Sequence, residues 1–117
     1  MKTIIEQSRD ELTNKEKYQL MVSKTASSLK DFEGPMTIKN WVLIEDDRTV
    51  TEEVGEKRNV LSLLTDDGAT YVTTSPTFID SFMEIVSIFG KTDLEINVKH
   101  LQSKKGRTFL VAEYDGE

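Results

Sequence analysis

From residue 36 onward the apolar positions of this chain follow a strand period, then a helical one, then a strand period again. In residues 36–45, Met36, Ile38, Val42 and Ile44 fall on one face at period two, with Thr37, Lys39, Trp41 and Leu43 on the other. That spacing, rich in β-branched and aromatic side chains, predicts a strand. Residues 58–65 predict a second. Asp66-Asp67-Gly68 predicts a hairpin turn, because glycine accepts a positive φ there. Residues 69–74 form a short third strand, threonine-rich and carrying Tyr71. The period then changes. Phe78, Phe82, Ile85 and Phe89 recur at helical spacing, widened by Ile79 and Val86. Ser75 is placed to cap this helix, Pro76 to fill its first position and Gly90 to end it. A helix this apolar should plug a core, with the Phe78, Phe82 and Phe89 rings inside. Alternation returns in residues 94–102, with Leu94, Ile96, Val98 and His100 facing one way and Glu95, Asn97, Lys99 and Leu101 the other. A turn at 103–106 leads to a last strand at 107–114.

The first thirty residues read as helical or loose. Thr13-Asn14-Lys15-Glu16 fits a capping box, and Tyr18, Met21 and Val22 then recur at helical spacing, with Leu20 off that stripe. One capped turn is expected at 28–32, and Gly34-Pro35 ends it. Residues 46–57 are polar and read as a long loop or as a ragged hairpin through Thr49-Val50-Thr51. The chain thus divides into an N-terminal helical or irregular extension (1–34), a β-rich body (35–114) and an acidic end (115–117). The order in the body is β-β-β-α-β-β. Five short strands leave exposed edges, and curling into a barrel removes them. The expected fold is therefore mainly β, a five-stranded OB-fold barrel with one capping helix. Its binding face would lie between the 46–57 loop and the 103–106 turn.

Composition narrows the chemistry. A length of 117 residues suits one domain. Cysteine is absent, which excludes disulfides, thiol nucleophiles and thiolate metal sites, and the single histidine, His100, leaves no His-rich metal site. No apolar run approaches the roughly 18 residues of a membrane span, so no membrane partner is expected. The chain carries 15 basic and 21 acidic residues, a net charge of −6. The mean hides a pattern. Residues 96–112 carry Lys99, Lys104, Lys105 and Arg107 without one acid. A local basic patch matters more than net charge for docking a polyanion.

Leu29-Lys30-Asp31-Phe32-Glu33-Gly34 leads into Thr37-Ile38-Lys39-Asn40-Trp41-Val42. Leu64-Thr65-Asp66-Asp67-Gly68, Ser75-Pro76-Thr77-Phe78 and Gly106-Arg107-Thr108-Phe109 follow. In these motifs, over about residues 25–114, the chain resembles the OB-fold single-stranded DNA-binding proteins of phages and prophages of Gram-positive bacteria. The resemblance implies sequence-independent coating of single-stranded DNA in replication or recombination, with no enzymatic activity. It places the protein in the cytoplasm of a bacterial host. A homodimer is expected, with replication or recombination proteins as further partners and no cofactor.

Such binding joins cations for phosphates to aromatic faces for bases. The candidate cations are Lys39, Arg48, Lys57, Arg58, Lys99, Lys104, Lys105 and Arg107. The candidate stacking rings are Tyr71 and Trp41, the latter predicted on the outward face with Lys39. Trp41 either meets a base or packs under the N-terminal segment or a second subunit. His100 reads as a partly buried histidine with one hydrogen bond, and Asp66-Asp67-Gly68 as a structural turn rather than a metal loop. A barrel of this kind also serves as a protein-interaction module, which the net negative charge suits. A nuclease would need clustered carboxylates, and the acids here fall in turns and loops.

Overall fold

The computed structural model describes residues 2–8, 11–21, 26–29, 32–46, 58–92 and 94–115. The elements are β1 (Lys2–Gln7), α1 (Asn14–Met21), β2 (Ser27–Ser28), β3 (Gly34–Asp46), β4 (Arg58–Thr65), β5 (Thr70–Thr73), α2 (Pro76–Phe89), β6 (Leu94–Gln102) and β7 (Thr108–Tyr114). The protein is mainly β, with two helices, and its sheet curls into a half-barrel. Among the described residues the order is β2-β5-β4-β3-β6-β7, with β1 also on β3.

β3 organises the sheet because it is long, at 13 residues. β4 pairs along one side of it. On the other side β6 takes residues 34–38 and β1 takes residues 42–46, end to end. The strand at Lys2–Gln7 departs from the expected helical or irregular extension. Ile4 and Ile5 favour a strand only once β3 offers a free edge beside them. The local signals elsewhere act as expected. Thr13 and Glu16 form a reciprocal capping box, with Glu16 N–H donating to Thr13 Oγ1 at 3.1 Å and Thr13 N–H to Glu16 Oε1 at 3.0 Å. Ser75 Oγ accepts from Phe78 N–H at the start of α2. Gly68 closes the β4–β5 turn at φ 89°, where a side chain would be strained.

The main core lies between the sheet and α2. Phe78, Phe82, Ile85 and Val86 of the helix meet Met36, Ile38, Trp41, Leu43, Leu61, Leu63, Leu94, Ile96 and Val98. Phe89 does not join them. It is 49% exposed and stacks flat on Tyr114, with centroids 3.6 Å apart, so its ring meets the end of the last strand and not the main core. α2 also covers the outer edge of β7, where Ser81 Oγ accepts from Ala112 N–H at 2.8 Å. That bond satisfies an edge donor that no strand among the described residues pairs. A second, smaller core on the opposite face joins Val42, Ile44 and Leu64 to Leu12 and Leu20, with Met21 against it. The inward residue of α1 is therefore Leu20, and Tyr18, placed on the apolar stripe by spacing alone, is 58% exposed.

A bulge in β3 decides which side chains face which core. Ile38 pairs with Thr65 and Asn40 with Leu64, so Lys39 is an extra residue and the alternation shifts by one. Met36, Ile38, Trp41 and Leu43 therefore share the main core, while Val42 and Ile44 turn to the second. This corrects the outward placement of Trp41. Its indole is 0% exposed and lies edge-on to Phe82 at 5.5 Å, with its N–H donating to the Lys91 carbonyl at 2.8 Å. Ser8 closes the gap between β1 and β6. It donates its N–H to the Trp41 carbonyl and accepts the Trp41 N–H on Oγ, both at 3.0 Å. Buried Asn40 joins this knot to α1, accepting from Ser8 Oγ at 3.1 Å and donating through Nδ2 to Glu16. A buried amide with both ends paired costs little.

Candidate nucleic-acid interface

Two clefts meet at the β4–β5 hairpin. The first, of about 350 Å³, is lined by Phe32, Pro35, Met36, Thr37, Thr65, Asp66, Asp67 and Tyr71. Phe32 and Tyr71 form its aromatic wall, with centroids 5.1 Å apart and planes tilted by 60°. This is a favourable aromatic geometry. Both rings pack half-buried against the main core. Tyr71 arrives from β5, opposite Leu63. Phe32 arrives from the short turn before β3, where its N–H donates to the Leu29 carbonyl at 2.9 Å. His100 holds the same turn from β6: its Nε2 lies 2.7 Å from the Phe32 carbonyl. A carbonyl only accepts, so Nε2 carries the proton.

The second cleft, of about 410 Å³, shares Thr65 and Asp66 with the first and has Lys15 and Lys39 on its walls. Both lysines are exposed, and neither has an ionic partner among the described residues. The bulge that buries Trp41 is what presents Lys39 here.

The third feature is the β6–β7 hairpin. Lys104, Lys105 and Arg107 are all exposed. Ser103 sets the turn, donating its N–H to the Arg107 carbonyl at 2.8 Å and accepting the Gly106 N–H at 2.9 Å. The hairpin starts three residues beyond His100, about 10 Å along the strand. Lys99, on the same strand, has its charge answered already. Its Nζ lies 2.9 Å from Glu113, and that bond raises its pKa from the ordinary lysine value.

The candidate residues thus separate. Tyr71 and Lys39 border the joined clefts, and Lys104, Lys105 and Arg107 stand on the neighbouring hairpin. Lys99 is ion-paired and Trp41 is buried. Arg48 and Lys57 lie outside the described residues, and Arg58 opens β4. Sequence reasoning missed Phe32 and Lys15. Phe32 gave one signal, an aromatic two residues before the Gly34-Pro35 strand start. Lys15 gave none, since it reaches the cleft only because α1 packs on β3 and β4. Among the described residues no three His, Asp or Glu side chains gather to hold a metal ion.

Two aromatic rings beside exposed cations, which have no ionic partner among the described residues, suit a single nucleic-acid strand. The comparison with known families decides the matter: the phage single-stranded DNA-binding protein family matches residues 2–113. The chain belongs to that family. No curated protein and no solved structure matches it. Single-stranded DNA binding is therefore its role. For a phage single-stranded DNA-binding protein the geometry above has a simple chemical meaning. Ring faces accept any base, and lysine and arginine heads accept any phosphate, so neither contact needs a particular sequence.

Proposed function

We propose that the chain coats single-stranded DNA, largely without regard to sequence, during phage replication or recombination in the host cytoplasm. The barrel is of the OB type, an assignment supported by the order β5-β4-β3-β6-β7 and by α2 lying between β5 and β6 in the chain. The protein acts as a binder and not as an enzyme. The strand runs from Lys15 and Lys39, past the Phe32–Tyr71 cleft, toward Lys104, Lys105 and Arg107. The observation that carries this path is the wall of Thr65 and Asp66 shared by the aromatic cleft and the lysine cleft. Two chains act together as a homodimer, so that short sites gain by avidity.

Fluorescence polarisation of labelled oligo(dT) between about 50 and about 200 mM salt tests the reading. With about three phosphate contacts, log affinity falls against log salt with a slope near −2. Absent or salt-independent binding moves the chain to the protein-interaction reading.

A further inference from the structure

The aromatic cleft carries one group that coating does not require. Asp66 stands in its wall, at the corner of the β4–β5 turn. Its backbone is fixed, since its N–H donates to the Thr37 carbonyl at 3.2 Å. Its carboxylate is exposed and has no partner among the described residues. Its neighbour Asp67 is occupied differently. Asp67 Oδ1 accepts from the Thr65 hydroxyl and from Ala69 N–H, and these bonds hold its pKa below the ordinary carboxylate value. Asp67 closes the turn, and the Asp66 carboxylate stays exposed where the two clefts meet.

A carboxylate accepts hydrogen bonds only, so in a base cleft it sorts bases by the donors on their edges. Guanine presents two adjacent donors, N1–H and the N2 amine, which match two carboxylate oxygens. Cytosine and adenine each present an amine beside a ring acceptor. Thymine presents one N–H between two carbonyls, which a carboxylate repels. The cleft volume of about 350 Å³ lies at the small end of ligand pockets, which suits one base rather than several.

We propose that the Phe32–Tyr71 cleft is a single-base subsite in which Asp66 favours guanine through its N1–H and N2 amine. The preference rests on the coating reading and is graded: it adds to a backbone contribution that every sequence satisfies.

The test uses the full chain and twelve-nucleotide oligo(dT) probes with one central dG, deoxyinosine or no substitution. Inosine keeps the ring and N1–H and lacks only the N2 amine. Polarisation should show the dG probe binding about fivefold tighter than the inosine probe, the lower end for one bidentate base contact. In Asp66→Ala the ratio should fall to about one. Equal affinity for dG and inosine probes in the unaltered protein, with oligo(dT) still bound, overturns the subsite and leaves coating intact. A ratio that persists in Asp66→Ala overturns the assignment to Asp66. No binding of any probe overturns both readings.

Discussion

His100 and Phe32 stand 68 positions apart and are joined by one hydrogen bond of 2.7 Å, from the imidazole Nε2 to the backbone carbonyl. The bond ties the turn that carries an aromatic face to the strand that leads to the basic hairpin. His100→Ala removes the donor and leaves the ring of Phe32 on an untethered turn. DNA affinity should drop several-fold by polarisation. Stability should fall by about 1 kcal/mol, the ordinary net worth of such a bond. Unchanged affinity in a folded variant would show that Phe32 needs no tether.

Trp41 reports on the core. Its ring is fully buried against Phe82, so oligo(dT) should bind by polarisation with little quenching of tryptophan emission. Trp41→Phe keeps most of the packing but orphans the Lys91 carbonyl. It should lower unfolding free energy by about 1–3 kcal/mol and leave affinity nearly unchanged. Strong quenching on binding would return the indole to the strand.

The aromatic wall should dominate affinity. Tyr71→Leu and Phe32→Leu keep apolar bulk and remove the ring faces. Each should weaken oligo(dT) binding by about 1–3 kcal/mol if it stacks one base. Equal binding by both variants would place the strand elsewhere.

Phosphate contacts are read by salt. Replacing Lys104, Lys105 and Arg107 together with glutamine should make the salt slope shallower by roughly 0.7 for each of them that meets a phosphate, with Lys15 and Lys39 keeping the remainder. Lys99→Gln should change it little, because Glu113 already neutralises that charge. A larger effect from Lys99 than from the hairpin would reverse the assignment.

Acid should loosen the β4–β5 turn. Asp67 is bonded by Thr65 and Ala69 N–H, and its folded pKa is depressed. A depressed carboxylate contributes stability above its unfolded pKa, and that contribution disappears as pH falls through the folded value. Thermal unfolding from pH 6 down past about pH 3 should show this loss, and Asp67→Ala should lack that component.

Much of the molecule was legible because the responsible interactions are local. Ser75 and Pro76 start α2, Thr13 and Glu16 start α1, and Gly68 turns the β4–β5 hairpin, all through contacts within four residues. The alternation from Leu94 to Val98 also survives intact, since β6 has no bulge in its pairings with β3 and β7. The family resemblance came from the same short motifs, and the family match bears it out.

What tertiary structure alone decided depends on partners far along the chain. The extra residue at Lys39 lies where β3 changes neighbours from β6 to β1, and it reverses the facing of Trp41. Strand pairing also set the fate of residues 2–7, because a short β-branched run becomes a strand only beside an open edge. The cleft itself joins Phe32 to Tyr71 across 39 positions and Lys15 to Lys39 across 24. Period and propensity describe the face a residue prefers. They do not describe which distant residue will meet it there, and that meeting makes the candidate site.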